Sequence, residues 1–140
     1  MTREIELYRK APSETGTARV VLLLAAGLSG ATLAYHFISG TAEVMMPLYA
    51  AGLPAEVVGV IDVVWYDMAL LAGLGGIGMV VAAYRQQWRL PLAWFIGGHY
   101  LVLALLCLAM SFIWFGNPLG LIQWAIFAPL GLMTIWAARA

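Results

Sequence analysis

Four apolar stretches, each close to a bilayer's thickness in helical length, leave this chain few folds to choose from. They run over 20–38, 57–84, 90–115 and 121–138. A helix needs about 20 apolar residues to cross the hydrocarbon core. An open strand cannot cross, because its backbone N–H and C=O groups would meet lipid unpaired. The chain is 64% hydrophobic and 10% charged, against roughly one half and one quarter for a soluble domain. The expected fold is therefore all-α, an integral membrane protein built as an up-down-up-down bundle of four transmembrane helices. One membrane domain covers 20–138, preceded by a polar cytoplasmic segment over 1–19.

Residues 1–19 could be the leading part of a signal peptide, with Ser29-Gly30-Ala31 as the cleavage site. The apolar run continues past Ala31 to Ile38, so an uncleaved signal-anchor helix is expected instead. Basic residues then give the orientation. Arg3, Arg9, Lys10 and Arg19 precede the first stretch, Arg85 and Arg89 separate the second from the third, and Arg139 follows the fourth. The connections 39–56 and 116–120 contain neither Lys nor Arg. The positive-inside rule puts both termini in the cytoplasm and the protein in the inner (plasma) membrane. Tyr84, Trp88 and Trp136 fall at the inner ends of the stretches, and Tyr49, Trp114 and Trp124 at the outer ends. That is the two-belt pattern of interfacial aromatics.

The outer connection 39–56 is too apolar for a solvated loop and is expected to lie along the membrane or fold over the bundle. Pro54, Pro91 and Pro118 fall at segment starts, whereas Pro129 lies inside the fourth stretch and predicts a kink there. The short loop 85–89 makes the second and third helices antiparallel neighbours. Small residues mark the expected seams, because they let helix backbones approach in lipid. They are Gly27, Gly30, Ala31 and Ala34 on the first helix, and Ala69, Gly73 and Gly76 on the second. The third helix offers Ala93, Gly97, Ala104, Cys107 and Ser111.

Seven basic and seven acidic side chains cancel, which leaves no field to gather nucleic acid. The single cysteine, Cys107, cannot supply a disulfide relay. The informative residues are the ionisable ones inside the apolar stretches, since a buried charge there costs at least about 2.5 kcal/mol. Counted from helix centres, His36 and Asp62 lie level, each about 11 Å toward the outside. They are expected to pair, and with Trp65 and Tyr66 to form an inward-facing pocket or clamp. Asp67 and His99 lie within about 5 Å of the midplane. They are expected to pair with each other or to make an oligomer contact. Asp67 also sits about 140° round the helix from Asp62, which predicts that the two carboxylates face different surroundings.

His36, Glu43, Met45 and Met46 form a weak metal-ligand set whose imidazole and thioethers would suit copper, but their spacing is not diagnostic and no metal is expected. A haem between His36 and His99 is disfavoured by a depth difference of about 16 Å. No nucleotide loop, no Ser–His–Asp arrangement and no soluble domain point to an enzyme, and no cofactor is identified. The leading expectation is an accessory or scaffold subunit, partnered by the bilayer and by itself or a larger membrane complex. The alternatives are a small proton-coupled transporter working as a homo-oligomer, with Asp67 as the switching carboxylate, and a membrane-embedded quinone- or lipid-binding protein.

Overall fold

The computed structural model describes the backbone of residues 12–140 and the side chains from residue 16 onward. Arg3, Arg9 and Lys10, in the expected cytoplasmic segment, lie outside the described residues. The elements are α1 (Pro12–Tyr35), a π-helical segment (His36–Met45), α2 (Met46–Ala50), α3 (Ala55–Tyr84), α4 (Gln86–Phe115) and α5 (Trp124–Arg139). No strand occurs among the described residues. Helix α1 packs on α3 and α5, and α4 on α3 and α5. The four long helices thus close a ring in the order α1, α3, α4, α5.

Three continuous helices are long and apolar enough to cross a membrane: Gly16–Ala50, Ala55–Tyr84 and Gln86–Phe115. Helix α5 is apolar but only 16 residues long. The exterior matches, with Val63, Phe95 and Ile113 exposed by 70%, 77% and 67%. A contiguous apolar surface of this kind belongs in a membrane rather than in water.

The element boundaries differ from the hydropathy reading in four places. Helix α1 already begins at Pro12, within the segment expected to be a polar tail. Most of the expected outer connection 39–56 is helical, because the π segment and α2 carry α1 on to Ala50. The Met46 N–H reaches back five residues to the Thr41 carbonyl, so backbone pairing continues where the sequence suggests a loop. The loop 85–89 contracts to one non-helical residue, Arg85, at φ −117° and ψ 90°. Pro91 therefore lies inside α4, near enough to its start that few backbone bonds are lost.

At the far end, residues 121–123 leave the expected fourth helix for a turn. Gly116 adopts φ +66° and ends α4, a left-handed conformation that a side chain would strain. Buried Ser111 then donates to the Asn117 carbonyl at 2.7 Å and accepts the Leu121 N–H at 3.0 Å. Trp124 Nε1 donates to the Pro118 carbonyl at 2.7 Å. These bonds hold the turn and consume the residues expected to begin the helix.

Small side chains line part of the core, beside Leu22, Met79, Tyr100, Phe127 and Leu130. Ala69, Ala93, Gly97, Ala104 and Ser111 are buried as expected, and Cys107 is half-buried. Helix α1 turns otherwise. Gly27, Gly30, Ala31 and Ala34 face outward, and Ala18, Leu22, Ala25 and Ser29 face inward. The Ser29 hydroxyl supplies the reason, since it is buried and hydrogen-bonded twice. Satisfying a polar group weighs more in selecting a face than small size alone.

Candidate functional site

Of the four residues expected around one site, His36 meets Trp65, whereas Asp62 and Tyr66 contact other residues. His36 opens the π segment, and its Nε2 donates to the Trp65 carbonyl at 3.1 Å. Its ring stacks on the Trp65 indole, with centroids 3.8 Å apart and planes 23° from parallel. A Cβ on Gly40 would fall 2.8 Å from the same indole, so glycine lets the π segment lie flat against α3. Asp62 does not bond to His36. It accepts the Tyr49 hydroxyl at 2.6 Å, which ties α2 to α3. Tyr66 is exposed, with its ring 6.2 Å from that of Phe37. In place of the pocket or clamp expected of these four residues stand two separate contacts, His36 with Trp65 and Asp62 with Tyr49, because the helical continuation of α1 delivers Tyr49 to the carboxylate.

The weak metal-ligand set is dispersed. Met45 is buried while its neighbour Met46 and Glu43 are exposed, and the His36 ring is engaged by Trp65. Among the described residues, no group of three or more His, Cys, Asp or Glu is placed to share an ion.

Asp67 and His99 do not meet. Asp67 is exposed on the outward side of α3. It borders a shallow, open concavity together with Asp62, Val63, Tyr66 and Leu70. The two carboxylates thus flank one surface, contrary to the expectation from their angular separation, because the concavity is broad enough to span both flanks of the helix.

His99 lies between α3 and α4, half-buried, and its Nε2 is enclosed without a hydrogen-bond partner. Such an atom calls for an explanation, since burying an unpaired polar group is costly. The residue borders two spaces. One is an internal cavity of about 30 Å³ that also touches His36, Thr32 and Tyr100. It has room for about two water molecules and none for a haem between the histidines. The other is a lateral groove of about 210 Å³. Its floor is Gly75 and Gly78, its walls include Leu71, Leu74 and Phe95, and His99 and Tyr100 are the polar residues among its lining.

Neighbouring contacts fix the groove's polar end. Ser29 donates to the Ala72 carbonyl at 2.9 Å, which commits its single proton. The 2.6 Å contact between Ser29 and Tyr100 therefore has the tyrosine as donor. A Cβ on Gly75 would lie 2.9 Å from the Tyr100 oxygen, so glycine makes this approach possible. The Tyr100 ring also stacks on Phe127 at 5.9 Å. Comparison with family models, curated proteins and solved structures matches nothing to this chain.

In sequence His99 stands among bulky Phe95, Ile96 and Leu103, which does not mark it as bordering a groove. The available signal was the glycine-rich run Gly73, Gly75, Gly76 and Gly78. Its residues alternate between two seams: Gly73 and Gly76 approach α1, while Gly75 and Gly78 approach α4.

Proposed function

We propose that this chain is a multi-pass inner-membrane protein that holds a lipid-soluble ligand, with a carbonyl or hydroxyl head, in the α3–α4 groove. The enclosed, unpartnered Nε2 of His99 carries this reading. A carbonyl head would accept a proton from this atom, and a hydroxyl head could donate to it or accept from it. The apolar walls suit a flat ring or tail entering sideways from lipid. Quinones are the simplest class with this chemistry.

Four crossings with both termini in the cytoplasm complete the proposal, α5 being the shortest span. In support, three arginines contact residues near the α3–α4 junction. The Arg19 guanidinium lies 4.1 Å from the Tyr84 ring centre, and that of Arg139 lies 5.0 Å from Trp94. Arg89 donates to the Ala82 carbonyl in the last turn of α3 at 3.3 Å.

The groove can be tested directly, because the chain has two histidines whose ring nitrogens separate by NMR. In lipid nanodiscs, decylubiquinone should shift one imidazole signal, the one removed by His99→Ala, and dodecane should leave it in place. A His99 signal unmoved by saturating decylubiquinone would remove quinones as the ligand class, and one unmoved by cholesterol as well would sink the groove reading.

One observation favours a second reading, the accessory subunit. The outward stripe of Gly27, Gly30, Ala31 and Ala34 would allow close approach by a helix of a larger complex. The transport reading fits less well within one chain, because Asp67 faces away from the bundle.

A further inference from the structure

The outward side of α3 carries a second pattern, which shares only Leu74 with the groove. Val60, Val63, Asp67, Leu70, Leu74 and Ile77 recur at alternating intervals of three and four residues, and all are exposed. The apolar members are exposed by 55% to 70%. Lipid can cover the valines, leucines and isoleucine, but it cannot cover Asp67. That carboxylate lies about 4 Å from the middle of the helix, where an unpartnered charge is most costly.

We propose that α3 is the seam of a parallel homodimer, with Asp67 of each copy seated in the α3 concavity of the other. A repeat of three and four residues is the spacing of a left-handed two-helix seam, in which each knob enters a hole made by four residues. For a knob at position 67 in a symmetric parallel pair, those four are Val63, Tyr66, Asp67 and Leu70. The same four border the observed concavity together with Asp62.

Hydrogen bonding points to the same partner. Among the described residues, neither the Asp67 carboxylate nor the Tyr66 hydroxyl makes a hydrogen bond within the chain. Adjacent helical positions do not face each other, so the two cannot satisfy one another. A second copy brings its Tyr66 to the hole that receives Asp67, and symmetry makes the exchange reciprocal. Two phenol donors then serve two carboxylates and offset the repulsion between them across the axis. Helices α1 and α4 pack on α3 through Gly73, Gly76, Gly75 and Gly78, so the seam is free in the monomer.

The inference rests on the membrane reading but not on the groove ligand, and the experiment separates the two. In a Cys107→Ala background, single cysteines are introduced as Val63→Cys, Leu70→Cys and Leu74→Cys on α3, Ala31→Cys on α1 and Phe95→Cys on α4. The proteins are oxidised in liposomes, with flotation confirming membrane insertion. Disulfide dimers should form at the three α3 positions and not at Ala31→Cys or Phe95→Cys. Tyr66→Phe and Asp67→Ala should each weaken dimerisation about tenfold, as measured by energy transfer between labelled copies. Floating protein with no α3 crosslink, with its strongest crosslink at Ala31→Cys, or with dimerisation unaffected by both substitutions would overturn the dimer while leaving the membrane reading intact.

Discussion

Ser29, Tyr100 and the Ala72 carbonyl form a short chain of hydrogen bonds across three helices, at 2.9 and 2.6 Å. Ser29 accepts the tyrosine's proton while giving its own to the backbone, so each partner relies on the same side chain. Ser29→Ala strands a buried phenol, and Tyr100→Phe removes the donor but leaves Ser29 bonded to Ala72. Each substitution should lower stability by about 1–2 kcal/mol. The double variant should lose less than the sum, because the shared bond can be lost only once. Unfolding in mixed micelles by denaturant titration would test this, and additive losses would count against the chain of bonds. The sequence displays Ser29 and Thr32 as a polar stripe running inward from His36, yet their roles differ. Thr32 bonds to the Leu28 carbonyl of its own helix at 2.9 Å, whereas Ser29 reaches across to two other helices. Spacing along one helix gives the shared side, but it cannot identify the partner that arrives from another.

At the scale of the element, α4 and α5 meet almost backbone to backbone. A Cβ on Gly131 would lie 2.7 Å from the Gly97 carbonyl oxygen, and one on Gly97 would lie 2.9 Å from the Gly131 oxygen. A carbonyl cannot swing aside as a side-chain tip can, so Gly131→Ala should separate the two helices at a cost of about 1–3 kcal/mol. Gly27→Ala provides the contrast. A Cβ at Gly27 meets nothing within 4 Å, and alanine favours helix by about 1 kcal/mol, so stability should hold or rise. Thermal melts in one detergent would compare them, and equal losses would contradict the packing described. Hydropathy made the apolar helices legible because a long uncharged run has one stable form in lipid. It could not reveal their ends. The ten-residue π segment has no strong local signature, and the turn after α4 depends on Ser111, six positions before the Asn117 carbonyl it holds.

For the whole molecule, the proposed orientation rests on the positions of the arginines in the sequence. Arg85→Cys and Asn117→Cys, each in a Cys107→Ala background, mark opposite ends of α4. In intact cells a membrane-impermeant maleimide should label Asn117→Cys at once and Arg85→Cys only after permeabilisation. The reverse order would invert the proposed orientation. The candidate site was less legible at this scale than the helices. The polar residues of the apolar stretches were visible individually, but their grouping depends on helix rotation. Asp67 turned outward and His99 inward, because the α3 glycines alternate between two packing partners. The single-residue break at Arg85 has a consequence for synthesis. On the proposed membrane topology, two 30-residue helices joined through one residue have little slack to separate. We predict that they enter the bilayer as one hairpin, so that a deletion beside Arg85 lowers the yield of inserted protein.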